Sequence, residues 1–339
     1  MWVSQGGINK IKTTKHRKPK TMYNNHDNML LRLAHSTKNG EFFMVKDEVS
    51  LEMPHYLAHL KGKKVYIPNT KFTTELAERD SFVQYFSSRS MMEKFGIKEL
   101  SYSYYDEEGR FVLITVADGS FTKEIIANNH DDTRLFYVFK QIDKVDVVIG
   151  NPEGSKANDL FSYVFLSGKD YIFSVCITLF SNKLPFLAFK KNSLKFGFNT
   201  PTYFYDVDSA KVKKFCNKVW ITSFDNGRVP SDITTFYDIN SYDYPKYDNY
   251  DAIDVKCIKM IPMGFDGVMG VPVTSIMNLN RNQIEIVGLF NAFADCDYDN
   301  GFICGDKTPY SSKGKTMMTS GPVIDNKAVF ARVLVRFIG

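Results

Sequence analysis

The sequence has few cysteines and no long hydrophobic run. Its cysteines are odd in number and include no Cys-x-x-Cys pair, which argues against a disulfide framework and against a thiolate zinc site. The longest uncharged apolar stretch, residues 171–180, is half of the roughly 20 residues that a helix needs to span a bilayer. We therefore expect no transmembrane helix and a cytoplasmic protein in a reducing compartment. The five cysteines are Cys176, Cys216, Cys257, Cys296 and Cys304.

Acidic residues are absent from the first twenty positions, which also lack the apolar segment of a secretory signal. Residues 21–339 carry 37 basic against 38 acidic side chains, so the positive excess lies in this leader. Residues 1–28 are predicted to form a flexible arm. Its clustered cations favour either contact with nucleic-acid phosphates or a merely solubilising tail. The basic residues are Lys10, Lys12, Lys15, Arg17, Lys18 and Lys20.

The rest of the chain has the pattern of an α/β protein. Apolar runs predict strands at residues 65–68, 111–116, 145–149 and 171–178, with helical spacing between several of them and a helix over 133–142. The run 145–149 is almost wholly apolar, as in a central parallel strand that is covered on both faces. This order predicts a doubly wound sheet, whose ligands bind beyond the carboxyl ends of the strands. After residue 223, regular structure is expected to thin out until a closing strand at 330–337.

Three motifs resemble ligand sites, but each of them departs from the pattern that its site requires. The tripeptide at 314–316 resembles the end of a phosphate-binding loop, but the first glycine of that motif is replaced by Pro309. His55 and His59 have zinc-hydrolase spacing, but Tyr56 stands where the glutamate belongs. In the acidic stretch 295–306 the glycine comes one residue too late for a calcium loop. No metal site is predicted.

The tetrapeptide 151–154, Asn-Pro-Glu-Gly, directly follows the predicted central strand. Amino methyltransferases place an Asn- or Asp-Pro-Pro-aromatic motif at this position. The Asn or Asp side chain of this motif and a following carbonyl accept hydrogen bonds from an exocyclic amine, and the aromatic ring of the motif stacks on a flipped base. Asn-Pro is also a common turn after a strand, so the dipeptide alone is weak evidence for such a site. Its position directly after a predicted central strand is what supports this interpretation.

Residues 244–274, YPKYDNYDAIDVKCIKMIPMGFDGVMGVPVT, resemble the C-terminal signature of the EcoRI-type adenine-specific DNA methyltransferases. A weaker likeness covers residues 41–43, 64–69, 146–152, 219–222 and 323–337. The resemblance implies a Rossmann-like class I methyltransferase with a doubly wound sheet and a C-terminal turn-rich extension. Its parts would be the arm at 1–28, a methyltransferase-like core at 29–225, and a DNA-contact region at 226–339.

The same resemblance implies a function in which S-adenosylmethionine donates a methyl group to adenine N6 in double-stranded DNA, without a metal. The setting would be a prokaryotic or phage-infected cell, where restriction-modification (restriction protection), phage counter-defence and regulation are all open as biological roles. The implied catalytic turn is Asn151, Pro152 and Glu153. The implied cofactor-binding residues are Glu41, Phe42, Phe43 and Asn69. The implied DNA-binding residues are Lys246, Tyr247 and Asn249. The basic residues of the arm are further DNA-binding candidates because of their clustered charge.

The sequence departs from the family pattern where the chemistry would occur. Glu153 and Gly154 replace the second proline and the aromatic residue, so base stacking worth roughly 1–3 kcal/mol would be missing. Lys71 lies in the loop where the family has an acidic residue, and Phe43 and Met44 replace Tyr and Thr. Two hypotheses therefore stand: an active adenine methyltransferase, or an inactive protein of this fold that binds nucleic acid or a partner protein. The tract 244–274 itself either contacts DNA or forms a packed, turn-rich loop.

Overall fold

The computed structural model describes residues 42–68, 80–106, 108, 110–127, 136–152, 155–206, 211–234, 237–240 and 242–338. The predicted arm at 1–28, with its basic residues, lies outside these ranges, as do Glu41, Asn69 and Glu153. No helix within these ranges is long and apolar enough to cross a membrane.

The helices and strands are numbered along the chain. The helices are α1 (Lys46–Glu52), α2 (Leu57–Leu60), α3 (Ser81–Phe86), α4 (Arg89–Phe95), α5 (Phe136–Asp143), α6 (Ser155–Leu166) and α7 (Lys183–Lys190). The strands up to residue 222 are β1 (Phe42–Met44), β2 (Lys64–Pro68), β3 (Glu99–Tyr105), β4 (Phe111–Ala117), β5 (Ser120–Ala127), β6 (Val147–Gly150), β7 (Asp170–Cys176), β8 (Lys195–Phe196), β9 (Tyr203–Asp206), β10 (Lys211–Lys214) and β11 (Lys218–Thr222). The later strands are β12 (Tyr237–Asp238), β13 (Lys246–Tyr247), β14 (Tyr250–Asp254), β15 (Pro262–Met263), β16 (Met269–Pro272), β17 (Ile284–Phe290), β18 (Phe302–Ile303), β19 (Thr308–Ser312), β20 (Lys315–Thr319), β21 (Val323–Ile324), β22 (Lys327–Ala328) and β23 (Arg332–Phe337).

The central sheet has eight strands in the order β5-β4-β3-β2-β6-β7-β11-β8. Strands β3, β2, β6 and β7 are parallel, β11 is antiparallel to both of its neighbours, and β4 and β5 form an antiparallel edge. From β2 the chain goes first to β3 on one side and later to β6 on the other. The switch point of this sheet therefore lies between β2 and β6, where ligands bind in doubly wound folds. The predicted Rossmann-like α/β sheet is confirmed.

Both faces of the central strands are buried, as their apolar runs predict. Along β6, Val147 and Ile149 pack into the cluster that includes α1, α3 and α4. Val148 points to the other face, where α5, α6 and α7 pack. The predicted strands at 65–68, 111–116, 145–149 and 171–178 correspond to β2, β4, β6 and β7.

The prediction that regular structure thins out after residue 223 is wrong. The chain after residue 223 forms a second sheet of six strands, in the order β13-β14-β16-β23-β17-β18. Several of its strands are short and are separated by turns. The turns make this part of the chain rich in Gly, Asn and Asp, a composition that suggests loops. Their apolar side chains, such as Val271 and Val333, are nevertheless fully buried in the same cluster as Val148. The predicted closing strand is β23, which pairs with both β16 and β17.

The sequence argues against a disulfide framework, but the structure does join one pair of cysteines, Cys296 and Cys304, whose Cα atoms lie 5.8 Å apart. The pairing of Asp297 with Phe302 folds the chain back on itself and brings the two cysteines together. Within this acidic loop the Asp297 carboxylate accepts hydrogen bonds from the backbone and side-chain nitrogens of Asn300. The acidic stretch is therefore a turn. Among the described residues, no group of three or more His, Cys, Asp or Glu side chains is arranged to hold a metal.

Candidate active site at the carboxyl edge of the central sheet

The Asn151-Pro152 turn leaves the sheet at its switch point. Strands β2 and β6 pair in parallel through Val65 with Val147 and Tyr66 with Val148, so their carboxyl ends lie side by side. A Cβ atom placed on Gly150 would lie 3.9 Å from Cδ of Pro68. The turn thus occupies the position that the sequence predicts, next to the end of β2.

Lys218 holds the side chain of Asn151. Its Nζ donates a hydrogen bond of 3.3 Å to Oδ1 of Asn151. Lys218 begins β11 opposite Cys176, the last residue of β7, so its side chain starts at the same edge of the sheet. The same Nζ lies 5.4 Å from the ring centroid of Phe204, within the range of a cation–π contact. Lys218 is not among the site residues predicted from the sequence, although this lysine directly precedes the family-like stretch 219–222.

Strand β1 brings the predicted cofactor segment towards this edge. Phe42 and Phe43 pair with Asp206 and Tyr205 of β9 in a three-stranded sheet, and Met44 pairs with Phe204. The hydroxyl of Ser81, at the start of α3, donates a hydrogen bond to the carbonyl of Met44. The contacts from Met44 through Phe204 to Lys218 therefore connect the predicted cofactor segment with Asn151.

Two buried glutamates of α1 fix the segment that leads into β9. Oε1 of Glu48 accepts hydrogen bonds from the backbone N–H groups of Thr202 and Tyr203, at 3.0 and 2.9 Å. The two glutamates are four residues apart, where like charges on an exposed helix face repel one another. No lysine or arginine stands three or four positions from either glutamate, and this spacing is the sequence signal that both bind other groups.

The Glu52 carboxylate accepts hydrogen bonds from the Phe198 backbone, from two nitrogens of Asn199 and from the Tyr56 hydroxyl. Glu52 is completely buried. Burial and the nearby charge of Glu52 raise the pKa of Tyr56 far above its usual range. Tyr56 therefore remains a neutral hydrogen-bond donor, and the carboxylate keeps all of its partners.

The predicted DNA-binding residues of β13 and the following turn have different environments. Lys246 is exposed, whereas Tyr247 and Asn249 are buried. The Tyr247 hydroxyl donates to Asp254, which also pairs with Arg332. Burial and the charge of Asp254 raise the pKa of Tyr247 well above its usual range. In this structure the side chains of Tyr247 and Asn249 bind protein groups, and Lys246 is the one of the three that faces solvent.

Asn249 joins the segments on either side of β19 and β20. Its Nδ2 donates to the carbonyls of Asp306 and Gly321, at 3.0 and 2.9 Å, and its Oδ1 accepts from the Val323 N–H.

Asn249→Ala is expected to lower the free energy of unfolding by about 1–3 kcal/mol, because buried backbone groups lose their partners. Denaturant unfolding measures this loss. Lys246→Ala, an exposed neighbour, is the control, and an equal loss in both variants would contradict the assignment.

The comparisons with known proteins identify the family of the chain. The family model described as adenine-specific methyltransferase EcoRI matches residues 123–337, which is more than half of the chain and includes the Asn151-Pro152 turn. The chain belongs to this family. The match begins in β5 and runs through the whole C-terminal sheet.

Individual relatives extend over most of the chain. It is similar to the type II methyltransferase M.EcoRI of Escherichia coli, with 27% identity over 303 residues, 78% of this chain and 90% of the relative. It is also similar to the type II methyltransferase M.MpnI of Mycoplasma pneumoniae, with 28% identity over 288 residues, 78% of this chain and 87% of the relative. No solved structure gives a significant match to the chain.

Proposed function

We propose that the protein transfers a methyl group from S-adenosylmethionine to N6 of adenine in double-stranded DNA. One observation carries the proposal: in a chain of this family, the Asn-Pro turn lies at the switch point between β2 and β6. A cytoplasmic location, with duplex DNA as the partner, belongs to the same proposal. The arm at 1–28 would add phosphate contacts, and its lysines and arginine lie outside the described residues.

The placement of the strand ends supports S-adenosylmethionine as the cofactor. Strands β2 and β6 end side by side where doubly wound sheets bind ligands, and β1 joins this edge through Met44 and Phe204. When bound, this cofactor supplies an electrophilic methyl group on a positively charged sulfur. Phe42 and Phe43 are the described residues that we assign to holding it, with Glu41 and Asn69 as further predicted contacts.

Asn151 and Pro152 would orient the adenine. A base inside a duplex cannot reach this edge, so it must be flipped out of the helix before the reaction. Oδ1 of Asn151 and the Pro152 carbonyl would accept hydrogen bonds from the exocyclic amine, which leaves its nitrogen lone pair free to attack. An amide oxygen has two lone pairs, so the bond from Lys218 does not by itself prevent Oδ1 from accepting one from the amine.

Lys218→Met is expected to reduce the rate of methyl transfer by roughly tenfold, since it removes the group that holds the Asn151 amide in one orientation. The affinity for S-adenosylmethionine should change less than the rate. Single-turnover methylation and calorimetric titration separate the two effects. Lys218→Arg keeps a donor and should restore part of the rate. Equal rates in Lys218→Met and the wild type would contradict this role.

Mass spectrometry of DNA nucleosides tests the proposed function. Adenine-rich duplex DNA is incubated with the protein and deuterated S-adenosylmethionine, and N6-methyladenine that carries the label is the expected product. Unlabelled DNA, together with no calorimetric heat from the cofactor at millimolar concentration, would overturn the proposal.

A second candidate function is favoured by Glu153 and Gly154, which replace the proline and the aromatic residue of the family pattern. It is an inactive protein of this fold that binds nucleic acid or a partner protein. The double change Glu153→Pro with Gly154→Phe separates the candidates if the wild type shows no turnover. Activity in the double variant would indicate that the turn alone is altered, and continued inactivity would favour a binding function.

A further inference from the structure

Strands β19 and β20 form a hairpin with a fixed register. Its five residue pairs run from Thr308 with Thr319 to Ser312 with Lys315. The two connecting residues, Lys313 and Gly314, have φ angles of +49° and +74°. Two successive positive φ angles are typical of the tight turns whose twist matches that of the flanking strands. The tripeptide 314–316 therefore belongs to a β-hairpin and not to a phosphate-binding loop.

The hairpin surface is basic and largely open to solvent. Residues 307–319 contain three lysines and no acidic residue. Lys313 and Lys315 are exposed at the tip. Among the described residues, no acidic side chain forms an ion pair with either of them. Met317 and Met318 are 48% and 55% exposed, and the Tyr310 hydroxyl lies 3.6 Å from Sδ of Met317. The hairpin thus presents unpaired cations beside flexible apolar groups.

The base of the hairpin lies at the same end of the molecule as Asn151. The segment 177–181 directly follows β7, which is the neighbour of β6 in the sheet. The carbonyl of Ser181 accepts a hydrogen bond of 3.1 Å from Nδ2 of Asn291. A Cβ atom on Gly321 would lie 2.9 Å from the backbone nitrogen of Ala292, so the end of the hairpin meets this loop. These contacts connect the carboxyl edge of the central sheet with the hairpin.

The family-like tract holds the hairpin in place. Asn249 binds the backbone on both sides of it, as described above, and Gly305 N–H donates to the carbonyl of Ser320 across its base. The carboxylate of Asp248 accepts hydrogen bonds from the N–H groups of Asp325 and Asn326, in the turn between β21 and β22. That turn binds β19 through the hydrogen bond from Ser311 N–H to the Asn326 carbonyl.

We propose that the β19–β20 hairpin, which Asp248 and Asn249 hold in place, is a DNA-contacting element. The major groove of DNA admits a two-stranded β-ribbon, and unpaired lysines at the tip are complementary to phosphate. Lys313 and Lys315 contact the backbone phosphates of the duplex that carries the flipped adenine, and the exposed side of the ribbon faces its groove. This inference rests on the proposed function, because it takes duplex DNA as the substrate.

The test compares two pairs of lysines that carry the same charge. Lys313→Gln with Lys315→Gln removes the cations of the tip, and Lys61→Gln with Lys98→Gln removes two exposed cations near the amino ends of β2 and β3. The affinity for duplex DNA is measured by fluorescence anisotropy between about 50 and about 200 mM salt. The slope of log affinity against log salt should fall by about one for each phosphate contact that is lost.

The hairpin double variant should therefore bind roughly tenfold or more weakly and lose about two from its salt slope, and the control pair should stay close to the wild type. The heat of S-adenosylmethionine binding should be unchanged in the hairpin double variant. Wild-type DNA affinity and slope in the hairpin variant would overturn the inference and leave the proposed function intact. A wild-type protein that binds the cofactor but no duplex DNA would overturn both. An equal loss in both lysine pairs would indicate general electrostatic attraction and would also overturn the inference.

Discussion

Asn151→Ala is expected to reduce methyl transfer to adenine by about 100-fold to 1,000-fold, as when one preorganised polar group is removed from an active site. The reason is its position. Asn151 follows the fully buried strand β6, and its Oδ1 is held by Lys218 at the switch point of the sheet. Radiolabelled methyl transfer under single-turnover conditions measures the effect. Calorimetry should show that the variant still binds S-adenosylmethionine.

Asn151→Asp is the matched variant for this prediction. It keeps an acceptor oxygen at the same position, so it should retain more activity than Asn151→Ala. An alanine variant with a rate within threefold of the wild type would contradict the assignment of Asn151. An inactive variant that has also lost the heat of cofactor binding would instead indicate damage to the fold.

Glu52→Ala is expected to lower the free energy of unfolding by about 3–5 kcal/mol, which places it among the severe point mutations. The change leaves four donors without their acceptor: the N–H groups of Phe198 and Asn199, the side-chain amide of Asn199 and the Tyr56 hydroxyl. A buried donor without a partner costs about 1–3 kcal/mol. The sum here is smaller, because three of the four donors are only partly buried and the 198–203 segment can relax. Denaturant unfolding measures the change.

Glu93→Ala provides the control for this prediction. Glu93 is an exposed glutamate on α4 that pairs with Arg89, and exposed pairs of this kind contribute about 0.3–0.5 kcal/mol. A loss below about 1 kcal/mol for Glu52→Ala would mean that the segment leading to β9 does not depend on this carboxylate. Loss of stability should also weaken cofactor binding, since this segment leads to Phe204, which lies against Lys218.

Sequence alone predicted the position of the Asn151-Pro152 turn because the signals for it are local. The apolar run of β6 and the Gly150-Asn151-Pro152 boundary define a central strand and its end. The contacts between residues far apart in the chain have no such local signal in the sequence. Lys218 and Asn151 are 67 residues apart, and Glu52 lies 146 residues from Phe198. No local pattern relates these partners.

The C-terminal tract illustrates the same limit. The resemblance located the tract correctly, and its polar side chains suggested contacts with DNA. The structure instead gives the Tyr247 and Asn249 side chains protein partners, because short strands and glycines bring backbones close together. Gly270 lies directly against the Tyr247 hydroxyl, where a Cβ atom would collide with it. The prediction of a turn-rich extension captured these turns but missed the six-stranded sheet that they connect.

The most direct test is a crystal structure of the protein with S-adenosylhomocysteine, the demethylated product of the cofactor. The prediction is ligand density between the carboxyl ends of β2 and β6, next to Asn151 and Pro152. Density for the ligand at any other place in the molecule would contradict it, whatever the activity of the protein.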